Sequence, residues 1–147
     1  MIEIDLKYEA FLKTLYHVEA PEGSFVIRID TNSLELDAIL LAQHLENWAY
    51  VTAFNPQGCL ALDAHNSEAQ HRLECELNER QLLWYAGSTE AEHGDWPPEP
   101  SCLILNIGRE DAIELGRRYG QAAIVTGFRG AKAELVIIDW PQAPPNS

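Results

Sequence analysis

Residues 102–126, CLILNIGREDAIELGRRYGQAAIVT, hold the pattern that decides the fold. The mostly apolar run at 102–107 is typical of a buried strand, and apolar residues resume at 122–126 as a second strand. Between them, 109–119 is predicted to be a helix, with acidic residues in its first turn, two arginines in its last and Gly120 directly after it. This order of charges complements the helix dipole. The segment therefore predicts a strand, a helix and a strand in succession.

The rest of the chain extends this alternation, with strands in neighbouring pairs between helices. Further helices are predicted at 4–15, 34–45 and 63–82, with Asn32 or Ser33 capping the second and Asp63 capping the third. Further strands are predicted at 16–20, 24–29, 48–54, 82–86 and 133–139. The order α-β-β-α-β-α-β-β-α-β-β favours an α+β fold over a doubly wound parallel one. We expect a mixed or largely antiparallel sheet with three to four packed helices.

Length and composition predict a single compact domain. A chain of 147 residues with 46% apolar and 22% charged residues is ordinary for a globular protein, and it is long enough to fold without metal or disulfide staples. We assign the domain to residues 1–139. The proline-containing tail at 140–147 is expected to be loose.

The charge of the chain argues against whole classes of partner. There are 23 acidic and 10 basic residues, for a net charge of −13. Because nucleic-acid affinity depends on contacts from lysine and arginine to phosphates, we predict no nucleic-acid binding. The same field repels anionic membranes, so no membrane partner is expected either. The acidity favours solubility and would also suit a basic protein partner.

Sequence features predict a cytoplasmic protein. Uninterrupted apolar runs such as 38–42 are too short to span a membrane, and the first residues lack the basic segment of a signal peptide. Cys59, Cys75 and Cys102 are an odd number of cysteines at wide spacing, which fits a reducing compartment with mostly buried thiols. Cys75 and Cys102 resemble small hydrophobic core residues, and only Cys59 is placed for exposure.

Motifs for known chemistry are missing from the sequence. It has no glycine-rich phosphate loop, no nucleophile elbow and no C-x-x-C pair. Two E-x-x-H spacings occur, Glu68 with His71 and Glu90 with His93, but only the first lies on a predicted helix. A carboxylate-bridged metal site needs two such pairs on helices. We therefore predict no metal site and no cofactor.

Two asparagines lie at positions where the sequence pattern predicts burial among apolar side chains. Asn55 ends an apolar strand, and Pro56 after it predicts an extended backbone. Its amide could close a turn or be directed at a ligand. Asn66 lies on the apolar stripe of its helix, where an unpaired amide would cost roughly 1–3 kcal/mol. Its partner could be the backbone near Asn55.

Three further features flank these asparagines in the predicted fold. Arg72 lies beside the apolar stripe of the same helix and could pair with Glu68 or Glu76. Gln121 follows a helix end and precedes a buried strand, so it could clamp the backbone or line a pocket. The loop from Trp96 to Glu99 combines a large aromatic residue with a stiff proline segment, and it could be a packed cover or a lid.

Several short motifs, in this order along the chain, resemble a known family. They are Thr52–Pro56; Leu62-Asp63 with Asn66 and Arg72; Trp96-Pro97 with Glu99 and Ser101; Gly116-Arg117 with 119–125; and Glu134–Val136. Together they resemble the bacterial domain of unknown function 3293. The tryptophan loop carries an extra proline, and Tyr119 stands where phenylalanine is expected. The resemblance implies a bacterial origin and a compact single domain, and it implies no particular activity.

Three functional hypotheses follow. The first is a binding or regulatory module for a small polar ligand or a protein partner. It would use the amides of Asn55, Asn66 and Gln121, Arg72 as an anchor for an anion, and the Trp96–Glu99 loop as a cover. The second is a hydrolase- or transferase-type enzyme with Glu99 or Glu134 as general base and Arg72 stabilising an anion. The third is an acidic, inhibitor-like protein that binds a basic partner.

Overall fold

The chain alternates helices with pairs of strands in the order predicted. A computed structural model describes residues 2–56, 59–92 and 96–138. The helices are α1 (Ile2–Lys13), α2 (Leu34–Ala42), α3 (Asp63–Glu79) and α4 (Arg109–Arg118). The strands are β1 (Leu15–Ala20), β2 (Gly23–Ile27), β3 (Asn47–Val51), β4 (Trp84–Glu90), β5 (Pro100–Leu105), β6 (Ala123–Phe128) and β7 (Glu134–Ile137). The predicted loose tail, 140–147, lies outside the described residues.

All seven strands form one antiparallel sheet in the order β2-β1-β4-β5-β3-β6-β7. Three hairpins, β1–β2, β4–β5 and β6–β7, account for the strands that are neighbours in sequence. β3 has no hairpin partner, and it pairs with β5 on one side and with β6 on the other. The predicted α+β fold with a largely antiparallel sheet and four helices is therefore confirmed.

The two edges of the sheet meet at one end, so the sheet is curled. Ile29, just after β2, forms an isolated bridge with Ala133, just before β7. The Asp30 amide donates to the Ala133 carbonyl at 2.8 Å, and the Ala133 amide donates to the Thr31 carbonyl at 3.0 Å. These bonds satisfy backbone groups that an open edge would leave to solvent.

Each face of the sheet carries its own apolar core. One core lies under α2 and includes Leu36, Ile39 and Leu40 of that helix, and the other lies under α3 and α4 and includes Leu73, Leu77 and Leu115. Because β3 and β5 are covered on both faces, almost all of their residues are buried. This explains why both strands are continuous apolar runs rather than the alternating runs of a one-sided antiparallel sheet.

Local details at the helix ends agree with the sequence in one case and differ in another. Ser33 caps α2, and its hydroxyl accepts a hydrogen bond from the Leu36 amide at 3.2 Å. The predicted cap of α3 was wrong: Leu62 occupies that position without a side-chain bond, and Asp63 is the first helical residue. Over the described ranges, none of the helices has the length and apolarity needed to cross a bilayer.

Candidate functional site

The two asparagines singled out in the sequence bind each other. The Asn55 backbone amide donates to Oδ1 of Asn66 at 2.9 Å, and Nδ2 of Asn66 donates to Oδ1 of Asn55 at 2.8 Å. Oδ1 of Asn55 also accepts from the Ala61 amide at 2.9 Å. Asn55 is 4% exposed and Asn66 is 2% exposed. The inward amide on α3 therefore joins the end of β3 to the segment before the helix.

The backbone of Asn55 is not extended, so that prediction was wrong. Its φ is +49°, in the left-handed region. A following proline disfavours the right-handed helical conformation of the residue before it, but asparagine is among the few residues that adopt the left-handed one readily. The turn lets Asn55 offer both its backbone amide and its side chain to Asn66. A strained backbone conformation at a buried polar cluster is a common feature of functional sites.

Glu99 extends this network from the loop between β4 and β5. Its Oε2 accepts a hydrogen bond from Nδ2 of Asn55 at 2.8 Å and another from Nε1 of Trp96 at 2.8 Å. Within the described ranges, no group is hydrogen-bonded to its other oxygen, Oε1. Glu99 and Trp96 are both half-buried. One carboxylate oxygen is thus fixed by two donors while the other remains available.

The backbone around Glu99 is held as firmly as its side chain. The Glu99 amide donates to the Thr89 hydroxyl at 3.0 Å, and the Thr89 amide donates to the Glu99 carbonyl at 3.2 Å. The Ser101 hydroxyl donates to the same carbonyl at 2.8 Å. These bonds continue the pairing of β4 with β5 past their ends. The Trp96–Glu99 segment is therefore anchored to β4 at Glu99 rather than being a free loop.

Burial raises the pKa of the Glu99 carboxyl above its ordinary value, although the hydrogen bonds from Trp96 and Asn55 act in the opposite direction. The desolvation of the charged form outweighs the two donors. An additional donor or a positive charge at Oε1 would stabilise the ionised form and bring this pKa down. A ligand that supplies a hydrogen-bond donor or a positive charge would therefore stabilise the ionised carboxylate.

Two glutamines hydrogen-bond to the backbone that leads into Asn55. Nε2 of Gln121 donates to the Phe54 carbonyl at 3.1 Å, so Gln121 is a backbone clamp rather than a pocket wall. Gln70, which the sequence reasoning missed, accepts from the Ala53 amide at 3.0 Å and is 5% exposed. Its spacing of four from Asn66 on the same helix was the signal that could have found it. Both amides fix the chain immediately before Asn55.

Arg72 does not join this network. It is exposed and lines a separate groove of about 650 Å³ between α3 and α4, together with charged residues of both signs, among them Glu76, Asp111 and Arg118. The two predicted partners, Glu68 and Glu76, form no ion pair with Arg72 in the described part of the chain; Glu76 instead accepts from Tyr119 at 2.9 Å and pairs with Arg118. Within the described ranges, Arg72 therefore makes no hydrogen bond or ion pair to Asn55, Asn66 or Glu99.

Glu134, the alternative general base, also lies elsewhere. It is exposed on β7 and pairs with Arg109 at 3.1 Å. A surface ion pair of this kind contributes little and creates no covered carboxylate. Of the two glutamates considered from the sequence, only Glu99 lies with the asparagines.

The cysteines and histidines that the structure describes form no cluster of three or more potential metal ligands. Cys75 is exposed, contrary to the prediction that it is a core residue, and its sulfur lies 3.5 Å from Nε2 of His71. Cys102 is buried as expected, and burial raises the pKa of its thiol to about 12. No three or more potential ligands come together around a possible metal position among the residues described. His93, of the second E-x-x-H spacing, lies outside those residues.

Comparison with known proteins gives one finding. A family model described as "Protein of unknown function (DUF3293)" matches residues 51–124, which is half of the chain and runs from the end of β3 to the start of β6. No curated protein and no solved structure matches. The matched range contains Asn55, Asn66, Glu99 and Gln121, and it shows the family to which the chain belongs.

Proposed function

We propose that this member of the DUF3293 family is a binding module, which recognises a small polar ligand or a protein partner through the carboxylate of Glu99. The observation that carries the proposal is the unequal use of the two carboxylate oxygens. Oε2 accepts from Asn55 and Trp96, each at 2.8 Å, and Oε1 has no partner in the described ranges. A half-buried carboxylate with an unused oxygen favours a ligand that brings a hydrogen-bond donor.

The chemistry of Glu99 selects the kind of group that binds. An ionised carboxylate only accepts hydrogen bonds, so its ligand must donate. Charge-assisted bonds are the stronger ones, and a planar N–H group such as a guanidinium suits a carboxylate best. A cationic group would also offset the desolvation that raises the pKa of Glu99. The ligand expected at Oε1 is therefore an ammonium, guanidinium or amide group.

The surrounding network supports binding because it fixes the carboxylate in advance. Asn55 is held by Asn66 and by the Ala61 amide, and Glu99 is held on both sides of its backbone. A site whose groups are already ordered loses less conformational entropy when it binds. The role of Asn55, Asn66 and Gln121 in this proposal is to position Glu99 and Trp96, and Arg72 has no part in it.

The proposal also includes the origin of the protein, its cellular location and the charge of its ligand. The motif resemblance supports a bacterial origin, and the cysteine content supports the cytoplasm. The net charge of −13 supports a cationic ligand or partner over nucleic acid or an anionic membrane.

Methylguanidinium, with neutral methylurea as a near-isosteric comparison, tests the proposal. We expect methylguanidinium to shift the indole N–H resonance of Trp96 in a saturable manner, because both groups contact the same carboxylate. The affinity should fall about tenfold in a Glu99→Gln variant, the loss of one charge-assisted bond. Methylurea should bind more weakly than methylguanidinium to the unaltered protein.

The matched control is Glu134→Gln, which neutralises an exposed glutamate on β7 and leaves the total charge equal to that of Glu99→Gln. It should bind methylguanidinium as the unaltered protein does. Equal weakening in both variants would mean that only the overall charge attracts the cation, and the proposed site would be wrong.

An enzyme with Glu99 as general base is the second candidate. The raised pKa of a half-buried carboxylate with an unused oxygen is the observation in its favour. Against it, the hydroxyls of Thr52, Thr89 and Ser101 in this region are each hydrogen-bonded to backbone groups. Arg72 lines the groove between α3 and α4, and Glu134 pairs with Arg109. A hydrolase- or transferase-type reaction therefore ranks below binding.

A further inference from the structure

Two leucines on the segment that is hydrogen-bonded to Asn55 are largely exposed. Leu60 is 63% exposed and Leu62 is 80% exposed, on either side of Ala61. The Ala61 amide donates to Oδ1 of Asn55 at 2.9 Å, and the Leu62 carbonyl accepts the first hydrogen bond of α3, from Asn66, at 3.0 Å. The backbone at Ala61 and Leu62 is thus fixed by hydrogen bonds. Both leucine side chains therefore project to the surface from an ordered segment.

The side-chain amide of Asn55 joins this segment to the carboxylate. Its oxygen accepts from the Ala61 amide, and its nitrogen donates to Oε2 of Glu99 at 2.8 Å. Both bonds are made by one planar group, so the leucine segment and Glu99 are direct neighbours. Trp96 contacts the same carboxylate. Hydrogen bonds through Asn55 and Glu99 therefore link the segment that carries the two exposed leucines to the half-buried indole of Trp96.

The segments that build this surface contain no basic residues. Between Arg28 and Arg72 there are six acidic residues and no lysine or arginine, and between Arg80 and Arg109 there are four acidic residues and no lysine or arginine. The first interval contains the leucine segment and the second contains Trp96 and Glu99. Both sequence segments that contribute to this surface therefore carry only acidic charges, which favours a positively charged partner.

We infer that this surface, formed by Leu60, Leu62, Trp96 and Glu99, docks a partner protein through a segment that carries a lysine or arginine between apolar side chains. The inference rests on the proposed function and names the partner of that same site. The basic side chain would donate to Oε1 of Glu99 while its apolar neighbours cover the leucines. Aromatic residues and arginine are enriched at interface centres, where a few residues account for most of the binding free energy.

A labelled peptide of alternating leucine and arginine is a suitable probe, and the same peptide with citrulline in place of arginine removes only the charge. We expect the double variant Leu60→Ser with Leu62→Ser to bind the arginine peptide about tenfold more weakly than the unaltered protein. Leu34→Ser with Leu41→Ser is the matched control, because these leucines on α2 are 74% and 61% exposed. This control should bind within about twofold of the unaltered protein.

The outcomes separate this inference from the proposed function. Equal binding by both leucine variants overturns the docking surface, and Glu99-dependent binding of methylguanidinium in the same proteins would leave the proposed site standing. If methylguanidinium binds equally well with and without Glu99, the proposed function itself is overturned. Leucine-dependent binding to vesicles of neutral phosphatidylcholine, with no effect on the peptide, would assign the surface to a membrane and contradict the inference.

Discussion

An Asn66→Ala variant is expected to lose about 3 kcal/mol of its free energy of unfolding, because the buried Asn55 amide is left without an acceptor, at a cost of roughly 1–3 kcal/mol, and two further groups each lose a donor. The Asn55 amide loses its acceptor, Oδ1 of Asn55 loses a donor, and the Ala61 carbonyl loses the bond that Nδ2 of Asn66 makes at 3.5 Å. Since small domains are stable by only about 5–15 kcal/mol, urea unfolding should show the change clearly.

Two comparison variants locate the cause of that loss. Ser67→Ala alters the next, exposed residue of α3 and should change stability by no more than about 0.5 kcal/mol. Asn66→Asp keeps the acceptor for the Asn55 amide, and at low pH the protonated aspartate also has an O–H that can donate to Oδ1 of Asn55, so its loss at low pH should be smaller than that of alanine. A loss below about 1 kcal/mol for Asn66→Ala would show that the amide pair does not hold the site together.

A Gly87→Ala variant is expected to be destabilised by about 3 kcal/mol, the upper end of the usual cost of overpacking. Gly87 lies on β4 where the Tyr50 hydroxyl crosses above it to donate to the His17 carbonyl at 2.8 Å. An added Cβ would lie 2.4 Å from the His17 oxygen and 2.6 Å from the Tyr50 hydroxyl. Because the first of these contacts is with backbone, β1 and β4 must move apart.

Gly108→Ala is the matched control, since an added Cβ there meets nothing within 4 Å and the backbone has an ordinary φ of −72°. Its cost should stay below about 1 kcal/mol. If Gly87→Ala does not fold, the substitution can be made together with Tyr50→Phe. This second change removes the contact between the added Cβ and the Tyr50 hydroxyl, so part of the lost stability should be recovered. Equal melting temperatures for the Gly87 and Gly108 variants would contradict the tight crossing at β4.

Local patterns in the sequence were enough to predict the order of elements, because each helix and strand carries its own periodicity and end signals. The sheet order was beyond such patterns. β3 is inserted between β5 and β6, and nothing in the local sequence of 47–51 specifies partners fifty or more residues away. The curl that joins Ile29 to Ala133 depends on the same kind of long-range pairing.

The candidate site was predictable where a single residue conflicted with its surroundings. Asn66 on an apolar stripe had to face inward, and its partner near Asn55 followed from that requirement. Arg72 is separated from the asparagines because a spacing of six residues places it on the flank of α3 that faces α4. The left-handed backbone of Asn55 was missed because the rule for residues before proline does not include the tolerance of asparagine.

The pKa of Glu99, measured with and without methylguanidinium, tests the central claim most directly. The carboxyl carbon resonance of Glu99, assigned by its absence in Glu99→Gln, should titrate above the pKa of an ordinary glutamate, because burial disfavours the charged form. Saturating methylguanidinium should lower that pKa, since a bound cation favours the carboxylate. An ordinary pKa that does not respond to the cation would contradict the account, because Glu99 would then be neither sheltered nor the group that the ligand contacts.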